Sequence, residues 1–316
     1  MKRAAIFLTL LLPICLLLGL GYVVNGRVLA KPQMIDVGGS IATDTTWTVA
    51  NSTYILTDTV TVEANVTLTI EAGVTVMTMD MGQYLDVQGH LEAAGTAVNP
   101  ILFTSVDNLS MNSWSGISVS GSANFEYVTM RYASTALFIS NSSGGNVFLE
   151  NSVIEENSVH PIVVKTDALH RLKMGNVTFS NNTPNRVAID TAGGNLTLAG
   201  STTLEPEPGL EGYEEWNSDL PTVFSLPEGF TLTLKPGTNL MMLSTVQIAG
   251  HLDANGTAID PILWQTVPGG SGTVFSVIVL PTGTAVLNQT TLKGSPTLGI
   301  AVVGESDAPV VIENST

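Results

Sequence analysis

Two histidines in matching surroundings are the residues of this chain most suited to chemistry. His90 lies in Gly89-His90-Leu91-Glu92-Ala93-Ala94-Gly95-Thr96, and His251 lies 161 residues later in Gly250-His251-Leu252-Asp253-Ala254-Asn255-Gly256-Thr257. An imidazole serves as general acid or base near neutral pH when a second ionisable group shares its site. Neither copy supplies a recognisable partner, so the pair reads as one structural corner used twice, each ring held by backbone hydrogen bonds. Carboxylates offer a second route. Glu126 and Glu150 are 24 residues apart, as are Arg131 and Glu155. Carboxylates stacked one repeat apart could hold Ca²⁺ or divide into an acid and a base, because a neighbouring like charge raises one pKa. Glu126, Glu150, Arg131 and His160 are the catalytic candidates on this reading. The alternative is an exposed polar column in which Arg131 and Glu155 form a surface pair worth little. Tyr213 and Trp216, among Glu205, Glu207, Glu211, Glu214 and Glu215, are the candidate sugar-stacking residues. Those acids lack the alternating ligand spacing of a hand-type Ca²⁺ loop. No metal site or cofactor is assigned, with Ca²⁺ the one ion left open, and no phosphate loop, zinc helix or nucleophile elbow occurs.

The elements that must position these residues come from a duplication. Val66-Thr67-Leu68-Thr69-Ile70 returns as Phe230-Thr231-Leu232-Thr233-Leu234, and Val147-Phe148-Leu149-Glu150-Asn151-Ser152 as Val310-Val311-Ile312-Glu313-Asn314-Ser315. The shift stays within a few residues of 160, which defines a repeated superunit. Inside it, short in-out-in apolar triplets fall into columns: Leu137, Ile162 and Val187 at intervals of 25, and Met130, Ile154 and Phe179 at 24 and 25. A fixed interval near 24 with about three short strands per turn predicts a parallel β-helix, in which each coil stacks on the last and like side chains line up inside. An antiparallel sandwich has no reason to keep such an interval. Only 12% of residues are charged, about half the share of an ordinary globular chain. Thr, Ser, Asn, Gly and Val fill the difference, and all favour strands and turns.

Lys2 and Arg3 precede an apolar run from Ala4 to Val24, with Val28-Leu29-Ala30 behind it. Residues 1–30 therefore read as a secretory signal, or an uncleaved membrane anchor, and the rest as exported to the outside or the cell surface. Residues 31–46 read as a linker, 47–203 as the first β-helix unit, 204–221 as a protruding acidic loop, and 222–316 as a second unit. That second unit stops one residue short of the position matching Ile154, so the chain reads as a piece of a longer protein. Its only cysteine, Cys15, lies in the apolar run, which leaves stability to burial and hydrogen bonding. Without Lys2, Arg3 and Arg27 the remainder carries 8 basic and 27 acidic residues, a net charge of −19. A field that negative repels nucleic acid and anionic lipid, so nucleic acid is excluded as a partner and membrane contact is confined to the N-terminal segment or a downstream part.

Taken together, Val60-Thr61-Val62, Leu68-Thr69-Ile70-Glu71-Ala72-Gly73, Leu85-Asp86-Val87-Gln88-Gly89 and Pro100-Ile101-Leu102-Phe103 resemble the right-handed parallel β-helix repeat proteins of the pectin-lyase-like superfamily, in their secreted or surface form. The resemblance covers residues 47–316 and implies the all-β solenoid fold. It does not imply one activity, because the superfamily mixes lyases, glycosidases and members without catalysis. Polygalacturonase-like members carry paired aspartates, Gly-His-Gly and Arg-Ile-Lys. This chain has no Asp-Asp pair, has Leu91 after Gly89-His90, and echoes the last segment only in Arg171-Leu172-Lys173. Pectate-lyase-like chemistry would also need an arginine base and Ca²⁺-binding aspartates, and neither set is recognisable. A duplicated scaffold without a duplicated catalytic set favours an exported, non-catalytic β-helix displayed at the cell surface, with polysaccharide or another surface component as partner. A polysaccharide lyase or glycoside hydrolase, and a structural spacer in a larger surface protein, are the alternatives.

Overall fold

A computed structural model describes residues 34–106, 111–192, 196–216, 223–268, 276–294, 299–303 and 310–316, with a small antiparallel pair formed by Val23–Val24 and Arg27–Val28. The expected signal or anchor over 1–30 otherwise lies outside the described residues. From Ile35 onward the chain is a parallel β-solenoid of about 10 turns and about 25 residues per turn, with almost no helix. The apolar columns stack as the spacing requires. Leu137 pairs with Ile162 and Ile162 with Val187, while Met130 pairs with Ile154 and Ile154 with Phe179. All of these side chains are buried. Each strand contributes every second residue to this interior, and the intervening residues line the outer faces.

The first unit has three faces. One stacks Thr75–Thr78, Ile101–Ser105, Val128–Arg131, Val153–Glu155 and Thr178–Ser180. The second stacks Leu85–Val87, Ile117–Val119, Thr135–Ile139, His160–Lys165 and Arg186–Asp190. The third stacks Thr67–Ile70, His90–Ala94, Ser122–Glu126, Val147–Glu150 and Leu172–Gly175. The long strand Tyr54–Val62 spans the first corner, pairing with Thr75–Thr78 through its first half and Leu85–Val87 through its second.

Repeated residues do repeated work. Ser152 Oγ accepts the Val128 N–H (3.0 Å) and donates to the Glu150 carbonyl (2.7 Å). Ser315 does the same with Thr290 (3.1 Å) and Glu313 (2.8 Å). Tyr54 Oη accepts the Thr48 N–H at 2.8 Å, and the Tyr213 hydroxyl closes the same tie on Glu205 at the start of the second unit. Gly89 and Gly250 have no room for a side chain: a Cβ would overlap the carbonyl oxygens of Val66 and Glu63 in one copy and of Phe230 and Pro227 in the other. The turn there rides directly on the coil below, which only glycine permits.

The two units do not continue face for face. Gly212–Trp216 pairs below with Arg186–Asp190 of the second face and above with Asn239–Met242. By the repeat, Asn239–Met242 is the counterpart of Thr75–Thr78, a first-face strand, so at the seam the first-face stack of the second unit continues the second face of the first. The 3-10 segment Thr166–Arg171 widens the corner between the second and third faces. One coil later Thr197 bridges to Ser225 and opens a new stack through Val223–Leu226, Thr245–Ile248 and Val277–Val279. The third face loses its ladder at this seam: Leu172–Gly175 ends one sheet, Thr202–Leu204 begins another, and a cavity of about 270 Å³ lies between them. The stretch 204–221, expected to protrude as a loop, is instead built into the wall as far as Trp216, because Gly212–Trp216 supplies the strand that joins the units. Residues 217–222 lie outside the described residues.

Candidate functional site

The seam gathers the most heavily buried charges. Alternation along Gly212–Trp216 turns Tyr213 inward beside Val187 and places Glu214 beside Ala188 on the outer side. Glu214 is only 6% exposed. Its Oε1 lies 2.5 Å from His160 Nε2, and its Oε2 accepts from Arg186 Nη1 at 2.8 Å. Arg186 Nε reaches Glu211 at 3.0 Å. Trp216 packs edge-on against the His160 ring, centroids 5.2 Å apart. Beside them Lys165 Nζ meets Asp190 Oδ2 at 2.7 Å. Burial alone would raise the Glu214 pKa, but hydrogen bonds from His160 and Arg186 outweigh it and hold the carboxyl below its ordinary value. A carboxylate held ionised in this way is a poor general acid at neutral pH. Its neighbour Glu215 is also spent, accepting the N–H groups of Leu243 (2.8 Å) and Ser244 (2.7 Å) together with the Ser244 hydroxyl.

The lowered Glu214 pKa has a stability consequence with a definite sign. The folded pKa lies below the unfolded one, so the contribution is fully present above the unfolded value and is lost as pH falls through the folded value. Thermal unfolding followed from pH 7 downward is expected to show a decline that begins below about pH 5. Glu214→Gln is expected to unfold at lower temperature at pH 7 and to show a shallower acid decline. Identical slopes in the two proteins would refute this role for Glu214.

Of the six site residues read from the sequence, the structure brings His160 and Trp216 together. Tyr213 was expected on an exposed loop and is instead 2% exposed, its phenol pushed far above its usual pKa by burial. It is the second unit's copy of Tyr54 and has no ring face open to solvent. Arg131 and Glu155 stand in register, 3.7 Å apart, on the first face. Arg171, which echoed a catalytic segment, is fully buried and donates to the carbonyls of Gly145 (2.8 Å), Asn141 (2.7 Å), Ser140 and Gly121. It is a structural plug in the widened corner. His90 and His251 are corner residues as expected, but a side-chain hydroxyl one coil on, not the backbone, engages each ring. His90 Nδ1 is 2.8 Å from Ser122 Oγ, and His251 Nδ1 is 2.6 Å from Thr284 Oγ1. Glu211 and Glu214 meet on Arg186, while Glu207 accepts the Val177 N–H and Glu215 those of Leu243 and Ser244. Among the described residues no group of three or more His, Cys, Asp or Glu side chains could hold a metal ion.

Glu126 and Glu150 lie elsewhere, directly in register on the third face of the first unit. They border a shallow groove of about 570 Å³ shared with His90, Asn124, Asn146 and Phe148. Asn124 and Phe148 of its lining continue an outward row of consecutive coils that begins at Glu92. The Asn124 amide donates to Glu92 Oε1 at 2.8 Å, and His90 Nε2 lies 3.5 Å from Glu92 Oε2. Phe148, between Asn124 and Lys173 in this row, is 40% exposed. Sequence reasoning passed over it, although the signal was present: in Val147-Phe148-Leu149 the alternation that buries the flanking residues must turn the aromatic ring outward. The second unit has Asp253, Val286 and Val311 at the corresponding places, so this chemistry belongs to the first unit.

Comparison with known proteins agrees with the architecture. Residues 39–156 match the family model described as a pectate-lyase-like beta helix domain. No curated protein and no solved structure gives a significant match.

Proposed function

From a chain that carries a pectate-lyase-like beta helix domain over residues 39–156 and is a parallel β-solenoid of the pectin-lyase-like kind, we propose an exported surface protein that binds carbohydrate without cleaving it. The groove around Phe148 carries this reading. An exposed aromatic ring offers a stacking face to the C–H side of a sugar. Asn124, Asn146, Glu126, Glu150 and Ser122 around it supply the donors and acceptors that fix sugar hydroxyls. The apolar run over Ala4–Val24 supports export, and the strongly negative surface favours neutral or cationic glycans over uronates. The seam is the less suitable site, because its carboxylates are already paired with His160, Arg186, Lys165 and turn N–H groups.

A glycan array probed with the full chain, followed by titration of the best hit, tests this reading. Phe148→Ala is expected to weaken binding about tenfold, equivalent to about 1.4 kcal/mol, with the unfolding temperature little changed. Absence of any glycan signal would sink the proposal. The register pair Glu126 and Glu150 favours a second reading, hydrolysis or elimination along the same groove. New reducing ends or unsaturated products from a polysaccharide panel, lost in Glu150→Gln, would replace binding with catalysis.

A further inference from the structure

A different surface of the first unit holds a second candidate. The sequence Met77-Thr78-Met79-Asp80-Met81, with Met111 downstream, contributes four of the chain's ten methionines. Three of them are exposed: Met79 at 62%, Met81 at 54% and Met111 at 41%. All three line one hollow of about 400 Å³ between the turn after Thr75–Thr78 and the segment leading to Trp114. Methionine is ordinarily a core residue, as Met130, Met241 and Met242 are here at no more than 1% exposed; Met34, 67% exposed, stands outside the hollow.

The turn that presents the thioethers is braced. Gln83 Oε1 accepts the N–H groups of Met79 (2.8 Å) and Asp80 (3.1 Å), and Asp80 Oδ1 accepts that of Met81 (2.6 Å). Ser115 donates its hydroxyl to the Met81 carbonyl. Met81 Sδ itself accepts the Asn112 amide at 3.3 Å, so its lone pair faces the segment that carries Met111. On the wall of the same hollow, Thr78 is 1% exposed and its hydroxyl has no hydrogen-bond partner among the described residues. Three thioethers, one carboxylate and a buried hydroxyl thus line a single hollow.

We propose that Met79, Met81 and Met111 form a thioether site for a soft monovalent cation, Cu(I) or its redox-inert analogue Ag(I). Thioethers select such ions over hard ones. Ca²⁺ and Mg²⁺ demand six or more oxygens, whereas the hollow offers one carboxylate, Asp80, already engaged by a backbone N–H. The chain's net charge of −16 concentrates cations at its surface, and Asp80 adds negative charge next to the sulfurs.

The test is titration of the full chain with Ag(I), using a Cys15→Ser background so that the thiol does not compete, and following methionine methyl groups by NMR. One equivalent is expected to move the methyl signals of Met79, Met81 and Met111 and to leave those of Met130 and Met241 in place. Ca²⁺ is expected to move none of them. The triple change Met79→Leu, Met81→Leu and Met111→Leu preserves volume and apolar surface and is expected to weaken Ag(I) binding at least 100-fold. Should the triple variant misfold, each single leucine is expected to cost at least tenfold. Unmoved methyl signals at these three positions, or undiminished affinity in the leucine variants, would overturn the proposal and leave the patch an apolar docking surface.

Discussion

Arg171→Met is expected to destabilise the first unit by about 3–5 kcal/mol, the scale of removing one side of a buried charged network. The guanidinium is fully buried and has no carboxylate partner among the described residues. Four carbonyls from Gly121, Ser140, Asn141 and Gly145 satisfy it, drawn from the two coils below. Burial lowers its pKa from the ordinary value and Asp167 partly restores it, yet an arginine in a protein stays protonated. Methionine would fill the volume and leave those carbonyls without donors. Arg171→Lys is expected to recover little, because a single ammonium cannot present the planar fork that reaches separate carbonyls. Denaturant unfolding followed by the near-ultraviolet signal of Trp114 and Trp47 measures both. A loss below about 1 kcal/mol for Arg171→Met, within the range of an ordinary surface change, would refute the plug.

Asn157→Ala is expected to cost about 2–4 kcal/mol, because one buried amide serves three coils and each orphaned buried group costs about 1–3 kcal/mol. Asn157 Oδ1 accepts the Ala133 N–H at 2.9 Å. Its Nδ2 donates to Asn182 Oδ1 at 2.8 Å and to the Glu155 carbonyl at 2.9 Å, and its own N–H donates to the same Asn182 oxygen at 3.0 Å. Asn182 then passes the ladder on through Nδ2 to the Ile154 carbonyl at 2.8 Å. Asn157→Asp separates the two halves of the role. A carboxylate still accepts from Ala133 but sets an oxygen against Asn182 Oδ1, so it is expected to destabilise at least as much as alanine at pH 7 and less in acid. The exposed pair Asn176–Asn151, joined at 2.9 Å, is the control: Asn176→Gly, which keeps the positive φ of 56° without strain, is expected to cost under about 1 kcal/mol. Equal losses at Asn157 and Asn176 would show that burial of the ladder does not matter.

Both predictions rest on residues whose importance was unevenly legible. Asn151-Ser152-Val153-Ile154-Glu155-Glu156-Asn157 and Asn176-Val177-Thr178-Phe179-Ser180-Asn181-Asn182 align at an interval of 25, which sets Asn157 and Asn182 one above the other, and the same spacing aligns Leu137, Ile162 and Val187. Arg171 gave no such sign, and its tripeptide only echoed a catalytic segment without the companion motifs, because nothing local marks a cation that will meet only carbonyls. The Glu214–His160 contact was hidden for a related reason. Its partners lie 54 residues apart, across coils whose lengths vary from 25 to 27 at the seam, so no single interval predicts it. The matching sentences around His90 and His251 gave no sign that Asn239–Met242, the copy of a first-face strand, continues the second-face stack through Gly212–Trp216. A repeat equates positions along the chain and does not say which stack each strand joins at a seam.

By itself the sequence determined the stacking and the inward columns, because both follow from the two-residue period of a strand and a nearly constant coil length. It also determined a pairing at one coil's distance, that of Arg131 with Glu155. Only the tertiary structure decided which polar groups are spent and which are free. Glu214, Glu215, Asp190 and Arg171 are satisfied by groups from other coils, while Phe148, Met79, Met81 and Met111 remain exposed. That division depends on side chains meeting across insertions and across the seam, where small differences in coil length set the partners and local pattern has no bearing.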